Sequence, residues 1–120
     1  MSDTRGVDSL DDDPSENDRI AALYGNVKTS LRRLNSARQT TYTQQLAIAV
    51  DGAIPQLDKA LADKDKHHLV RFKGFLESLL QTIDSDYEDK IEHYAQQTDP
   101  VALQNARNLI RDLRRLYRSL

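Results

Sequence analysis

Apolar residues recur at intervals of three and four along most of the chain, which is the spacing of one face of an α-helix. Asn17 and Asp18 stand just before the first series and are suitable helix caps. We therefore predict a first helix that begins near these residues and ends in the polar run 35–41. Its apolar positions are Ile20, Tyr24, Val27, Leu31 and Leu34.

The second series runs from Tyr42 to Leu61 and predicts a helix that is interrupted in its middle. Gly52 and Pro55 both disfavour a regular helix interior, so we expect a kink or a restart there. The apolar positions of this helix are Tyr42, Leu46, Val50, Ala53, Ile54, Leu57 and Leu61.

The third series follows a polar turn at residues 63–66 and lasts for about seven helical turns, from Leu69 to Tyr94. It predicts one long rod, which the short polar residues at 84–86 could split. Such a rod would extend past shorter neighbours and leave apolar residues uncovered, and a partner chain is the simplest cover. The residues concerned are Tyr87, Ile91 and Tyr94.

The final helix has a clear start, because Thr98 or Asp99 can cap it and Pro100 falls in the first turn. One of its sides is apolar and runs to the last residue. Four amphipathic helices predict an all-α, four-helix bundle-like domain over residues 18–120, and residues 1–17 are predicted to be a disordered acidic tail. The predicted buried positions of the final helix are Ala102, Ala106, Leu109, Ile110, Leu113, Leu116, Tyr117 and Leu120.

The amino-acid composition excludes several classes of function. The chain has no cysteine, which excludes disulfides and thiolate chemistry and is compatible with a reducing compartment. No run of about 20 apolar residues is present, and acidic residues stand where a secretory leader would carry basic ones, so we expect a soluble cytoplasmic protein that does not bind membranes.

The net charge of -2 conceals a strong segregation of charge along the chain. Residues 1–18 contain seven acids and one base, whereas residues 19–40 contain five bases and no acid. Residues 41–98 are acidic again, with ten acids and six bases. This alternation indicates that charge selects the partner of the protein.

The most specific pattern is a stripe of arginines on the final helix. Arg107, Arg111, Arg114 and Arg118 fall within about 60° of each other over about 16 Å of helix, with Arg115 slightly aside. The stripe is either an ordinary solvated face, a docking surface for an acidic protein, or a contact for a nucleic-acid backbone.

Three further residues and one segment could contribute to a binding surface. Lys28, Arg32 and Arg33 would enlarge the basic surface if the first and last helices pack side by side. The acidic tail could cover such a surface and compete with an anionic partner, although a solubilising role is the simpler interpretation.

The tyrosines lie on apolar seams, which core packing explains. An exposed subset would instead anchor a protein interface, and Tyr94 and Tyr117 are the candidates because both lie near polar rims.

Neither a metal site nor a catalytic site is indicated. His67 and His68 diverge on a helix, His93 has only Asp89 one turn away, and no glutamate is followed by a histidine three residues on. The acidic cluster at residues 84–89 lacks the glycine of a calcium loop and indicates a helix break or a docking patch for a basic partner. No phosphate loop or nucleophile motif occurs, so we predict no catalytic residues, metal or cofactor.

These observations predict a non-enzymatic helical module for protein-protein interaction, such as an adaptor, a regulator or a small subunit of a larger assembly. A homodimer or other oligomer would cover the apolar residues Tyr87, Ile91 and Tyr94, which are predicted to be left uncovered. The alternative is an accessory nucleic-acid-binding subunit that contacts phosphates through the arginine stripe.

Overall fold

The computed structural model describes residues 14–38, 41–63 and 66–120, which are almost entirely helical and contain no strand. The main elements are five α-helices. A π-helical turn, Ile83–Tyr87, joins α3 to α4, and a short 3-10 turn, Ala95–Gln97, precedes α5. The helices are α1 (Pro14–Ser36), α2 (Thr41–Ala62), α3 (His68–Thr82), α4 (Glu88–His93) and α5 (Pro100–Arg118).

The helices form a bundle in which α1 contacts α2, α2 contacts α3, α3 contacts α5, and α5 returns to α1. The ring of contacts surrounds one apolar core, to which every long helix contributes. The predicted all-α, bundle-like fold is confirmed. Representative core side chains with no exposed surface are Ile20, Leu46, Phe72, Leu109 and Leu113.

The start of α5 is the one predicted. Asp99 caps the helix by accepting a hydrogen bond from the Ala102 amide at 3.2 Å, and Pro100 occupies the first helical position, where no amide hydrogen is needed.

The start of α1 differs from the prediction. The helix begins at Pro14, about one turn before the predicted caps Asn17 and Asp18. Proline is favoured at a first helical position and Glu16 complements the helix dipole, so the first turn can form there. Residues 14–17 therefore belong to the helix and not to the predicted tail, whose remainder, residues 1–13, lies outside the described residues.

Two predicted interruptions have different outcomes. Pro55 lies inside α2, which continues through it without restarting. In the third predicted helix, the π-helical turn coincides with residues 84–86, so the rod changes its hydrogen-bonding pattern there and continues as α4.

The expectation that the far end of this rod is uncovered is wrong for Ile91, which is 1% exposed. Tyr87 is half-buried against the core, and Tyr94 is half-buried and stacks on Tyr42 with ring centroids 5.0 Å apart. Much of the cover comes from α2, whose 22 residues extend along the rod and contact α3, the π-helical turn and α4. No partner chain is needed to cover these three residues.

Two glycines inside helices are positions where replacement by alanine should increase stability. Gly52 and Gly74 are exposed, and a Cβ atom added to either would have no neighbour within 4 Å. We expect Gly52→Ala and Gly74→Ala each to raise the free energy of unfolding by about 0.5–1 kcal/mol, since alanine loses less backbone entropy on folding. Urea unfolding followed by circular dichroism measures the change; a loss of stability at either position would contradict the prediction.

Candidate functional site

Helices α1 and α5 are antiparallel and form the most extensive helix pair of the bundle. At one end, the Arg19 guanidinium donates to the Ser119 carbonyl at 3.4 Å; at the other, the Asn105 side-chain amide donates to the Arg33 carbonyl at 3.3 Å. The two basic stretches of the sequence therefore lie side by side, which is the condition under which we expected them to form one surface.

A buried carboxylate lies between these two helices. Asp112 is only 7% exposed and accepts a hydrogen bond from the Ser30 hydroxyl at 2.5 Å. A hydrogen bond to a charged acceptor is among the stronger kinds in proteins. The sequence analysis missed this residue, although an acid within an otherwise cationic helix was a signal that it faces inward. Asp112 is the only acidic residue of α5, so this helix exposes no carboxylate beside its arginines.

The outer surface of the pair is strongly basic as a result. No acid occurs between Arg19 and Arg38 in the sequence. We call the exposed set the arginine face. Among the described residues, its only carboxylate contact within ion-pair distance is a long one, 3.4 Å from Arg111 to the neighbouring Asp112. The arginine face consists of Arg19, Arg33, Arg111, Arg115 and Arg118.

The predicted arginine stripe of α5 is divided by the fold. Arg107 makes two hydrogen bonds to Glu92, at 2.7 and 2.6 Å. Arg114 makes two to Glu88, at 3.0 and 2.5 Å, and a third to Asp84 at 2.7 Å. These two arginines therefore join α5 to the π-helical turn and α4, whereas Arg111 and Arg118 remain on the open side.

The ion pairs shift the titration of the groups involved. Hydrogen bonds from Arg107 hold the pKa of Glu92 below its ordinary value, and hydrogen bonds to Glu88 raise the pKa of Arg114. These hydrogen bonds favour the charged forms of Glu92 and Arg114. The stabilisation from Glu92 is present in full above its ordinary pKa of 4.5 and is lost as the pH falls through its lower pKa in the folded protein.

The acidic cluster of residues 84–89 is consequently not a wholly free patch for a basic partner, because Asp84 and Glu88 bind Arg114. The sequence contains a pattern from which these ion pairs between α5 and the acidic residues could have been predicted. Acids at 84, 88 and 92 follow one helical turn apart, as do bases at 107, 111 and 114, and two such rows can pair on antiparallel helices.

Lys28 is also drawn away from the arginine face. Its ammonium group lies 2.8 Å from Asp58 of α2 and 4.8 Å from the centre of the Tyr24 ring. The Tyr24 hydroxyl donates to the same carboxylate at 2.7 Å. Burial raises the pKa of Tyr24, and although burial also opposes ionisation of Asp58, the bonds from Lys28 and Tyr24 hold the pKa of Asp58 below its usual range.

The two tyrosines predicted as interface anchors lie away from the arginine face. Tyr94 packs between the rings of Tyr42 and His93, and Tyr117 is half-buried with the Lys73 ammonium group 5.4 Å from its ring centre. Both rings therefore contact groups of this chain.

Within residues 14–38, 41–63 and 66–120, no three His, Asp or Glu side chains gather as metal ligands would. No helix in this part of the chain is both long enough and apolar enough to cross a membrane.

Comparison with protein-family models, with curated proteins and with solved structures gave no significant match. The functional argument therefore rests on the geometry of the chain itself.

Proposed function

We propose that the protein is a non-enzymatic interaction module, acting as an adaptor, a regulator or a small subunit, that docks an acidic surface of another protein through the arginine face. A cytoplasmic location is part of the proposal and is compatible with a chain that lacks cysteine. The contact is made by guanidinium groups held on two rigid helices, which suits binding to rows of carboxylates.

One observation carries the proposal: the only acid of α5, Asp112, is buried against Ser30, while the arginines around it are exposed. An ordinary solvated helix surface mixes charges of both signs, and the remainder of this bundle does so. Arg107, Arg114 and Lys28 all pair with carboxylates of the chain. The arginines of the outer surface are exposed, and among the described residues their one carboxylate contact is the 3.4 Å pair of Arg111 with Asp112. Positive charge therefore predominates on this surface, where it can attract and orient an oppositely charged partner.

The geometry favours an acidic protein over a nucleic-acid backbone. With Arg107 and Arg114 engaged by carboxylates of the π-helical turn and α4, the exposed arginines of the predicted stripe, Arg111 and Arg118, span only about 10 Å of helix instead of about 16 Å. Tyr94 and Tyr117, which could have stacked on bases, lie elsewhere and contact groups of the chain.

Charge reversal on the arginine face tests the proposal. We expect labelled poly-L-glutamate to bind the full chain at low salt, and Arg115→Glu with Arg118→Glu to weaken this binding at least about tenfold, since two attractive charges become repulsive. Fluorescence anisotropy titrations measure both affinities. Circular dichroism checks that the variant is folded, which the exposure of both side chains favours.

The matched control is Lys59→Glu with Lys66→Glu, which changes the net charge equally at exposed positions outside the arginine face and should leave the affinity unchanged. Equal effects of the two double variants, or no binding of poly-L-glutamate by the parent protein, would overturn the proposal. Tighter binding of a DNA or RNA oligonucleotide than of poly-L-glutamate, lost in the Arg115 and Arg118 variant, would favour the nucleic-acid alternative instead.

A further inference from the structure

An open groove lies where the last turn of α1 meets the first turns of α5. Its volume is about 520 Å³, and its lining includes Arg32, Arg33 and Ala37 from the α1 side and Val101 and Asn105 from α5. Val101 is 61% exposed and gives the groove an aliphatic side chain next to the two arginines. The groove therefore combines positive charge with an apolar wall.

Some hydrogen-bond donors of this groove bind backbone carbonyls of the chain, and others are exposed to solvent. The Ser36 hydroxyl donates to the Arg32 carbonyl at 2.9 Å and the Asn105 amide donates to the Arg33 carbonyl, so both serve the helix end. Among the residues that the structure describes, the Arg32 guanidinium has one hydrogen bond, to the Thr29 hydroxyl at 3.3 Å. Both guanidinium groups are thus available for carboxylates, and Val101 for an aliphatic side chain next to them.

The chain itself contains a segment of this chemistry at the opposite end of α1. Leu10 is followed by Asp11, Asp12 and Asp13, directly before the helix begins at Pro14. In the sequence, a leucine and three aspartates thus come directly before α1, and the basic, partly apolar groove lies at the other end of this helix.

The segment cannot occupy the groove of its own chain. Arg33 lies about 28 Å along the helix axis from Pro14, at about 1.5 Å per residue. A fully extended chain spans at most about 3.6 Å per residue, so Leu10 stays within about 14 Å of Pro14. The distance is bridged only if the segment comes from another copy.

We propose that residues 10–13 of a second copy bind this groove, with the aspartates on Arg32 and Arg33 and the leucine against Val101. Two copies that place their α1 helices side by side and antiparallel bring each acidic segment to the other's groove, which closes a symmetric dimer with two identical contacts. Opposite charge at the two ends of α1 favours this antiparallel pairing over a parallel one.

A charge-swap experiment on the full chain tests the dimer. One variant carries Asp11→Lys, Asp12→Lys and Asp13→Lys, and the other carries Arg32→Glu and Arg33→Glu. We expect sedimentation velocity to show a salt-sensitive dimer for the parent protein, and each variant alone to dimerise at least about tenfold more weakly. An equimolar mixture of the two variants should recover the dimer, because both of its contacts are again attractive.

Two further variants distinguish specific binding of the segment in the groove from nonspecific electrostatic attraction between the two copies. Val101→Ser should weaken the dimer without any change of charge, whereas Lys59→Glu with Lys66→Glu should leave it unchanged. A parent protein that remains monomeric at every concentration, or a mixture that fails to associate, would overturn the proposal. Poly-L-glutamate binding that depends on Arg115 and Arg118 is a separate measurement, so either proposal can fail without the other.

Discussion

Replacing Phe72 by alanine is expected to lower the free energy of unfolding by about 3–5 kcal/mol, because it leaves a cavity at the centre of the bundle. Phe72 has no exposed surface, and its ring meets the Tyr24 ring edge to face, with centroids 5.3 Å apart and planes at 88°. The Tyr24 hydroxyl in turn binds Asp58, so the phenylalanine supports a contact that joins α1, α2 and α3. Urea unfolding monitored by circular dichroism gives the change.

Phe75→Ala is the matched control for this cavity. The same side chain lies on the same helix one turn away, but it is only partly buried at the edge of the core. Its loss should therefore cost much less, about 1–2 kcal/mol, since solvent already reaches the ring. Equal losses from Phe72→Ala and Phe75→Ala would show that the core is not centred on Phe72.

The core was predictable because burial imposes a simple period on the sequence. Ile20, Tyr24, Val27, Leu31 and Leu34 were expected on one face of the first helix, and all five are buried. The α5 start was predictable for a local reason, because Asp99 and Pro100 act within a single turn. Fold class and core thus follow from positions close together in the chain.

The candidate site was only partly predictable, because it depends on which helices become neighbours. The sequence places Arg107, Arg111, Arg114 and Arg118 on one stripe, but it does not state that Glu92 and Glu88 stand opposite two of them. A rotation of about 40° around the helix decides whether an arginine pairs within the bundle or stays exposed. The approximate position of the basic surface was therefore predicted, and its membership was not.

The dependence on neighbouring helices also explains why Tyr87, Ile91 and Tyr94, which were expected to be uncovered, are buried or half-buried. The length of the third helix was read correctly from its apolar period, but the cover of Ile91 depends on how far α2 and α5 extend beside it. Self-association consequently has to be argued from the two ends of α1 and not from the rod. The proposed dimer uses charges at exposed positions and leaves the core of each copy unchanged.

Replacing Ser30 by alanine is expected to destabilise the protein by about 2 kcal/mol, because it removes the hydroxyl donor of a buried carboxylate. Asp112 is 7% exposed, and the Ser30 hydroxyl is its closest hydrogen-bond donor, whereas the Arg111 contact is 3.4 Å long. An ionised group that loses its donor away from water cannot regain the energy from solvent. Urea unfolding near neutral pH measures the loss, and a double-mutant cycle with Asp112→Ala isolates the pairwise contribution.

Ser36→Ala is the control for the helix propensity of alanine, since Ser36 is an exposed serine of the same helix whose hydroxyl donates to the Arg32 carbonyl. Its effect should stay within about 0.5 kcal/mol. A loss from Ser30→Ala no greater than that from Ser36→Ala would mean that Asp112 is solvated in solution. The arginine face would then carry a negative charge at its centre, and the argument for an acidic partner would lose its main support.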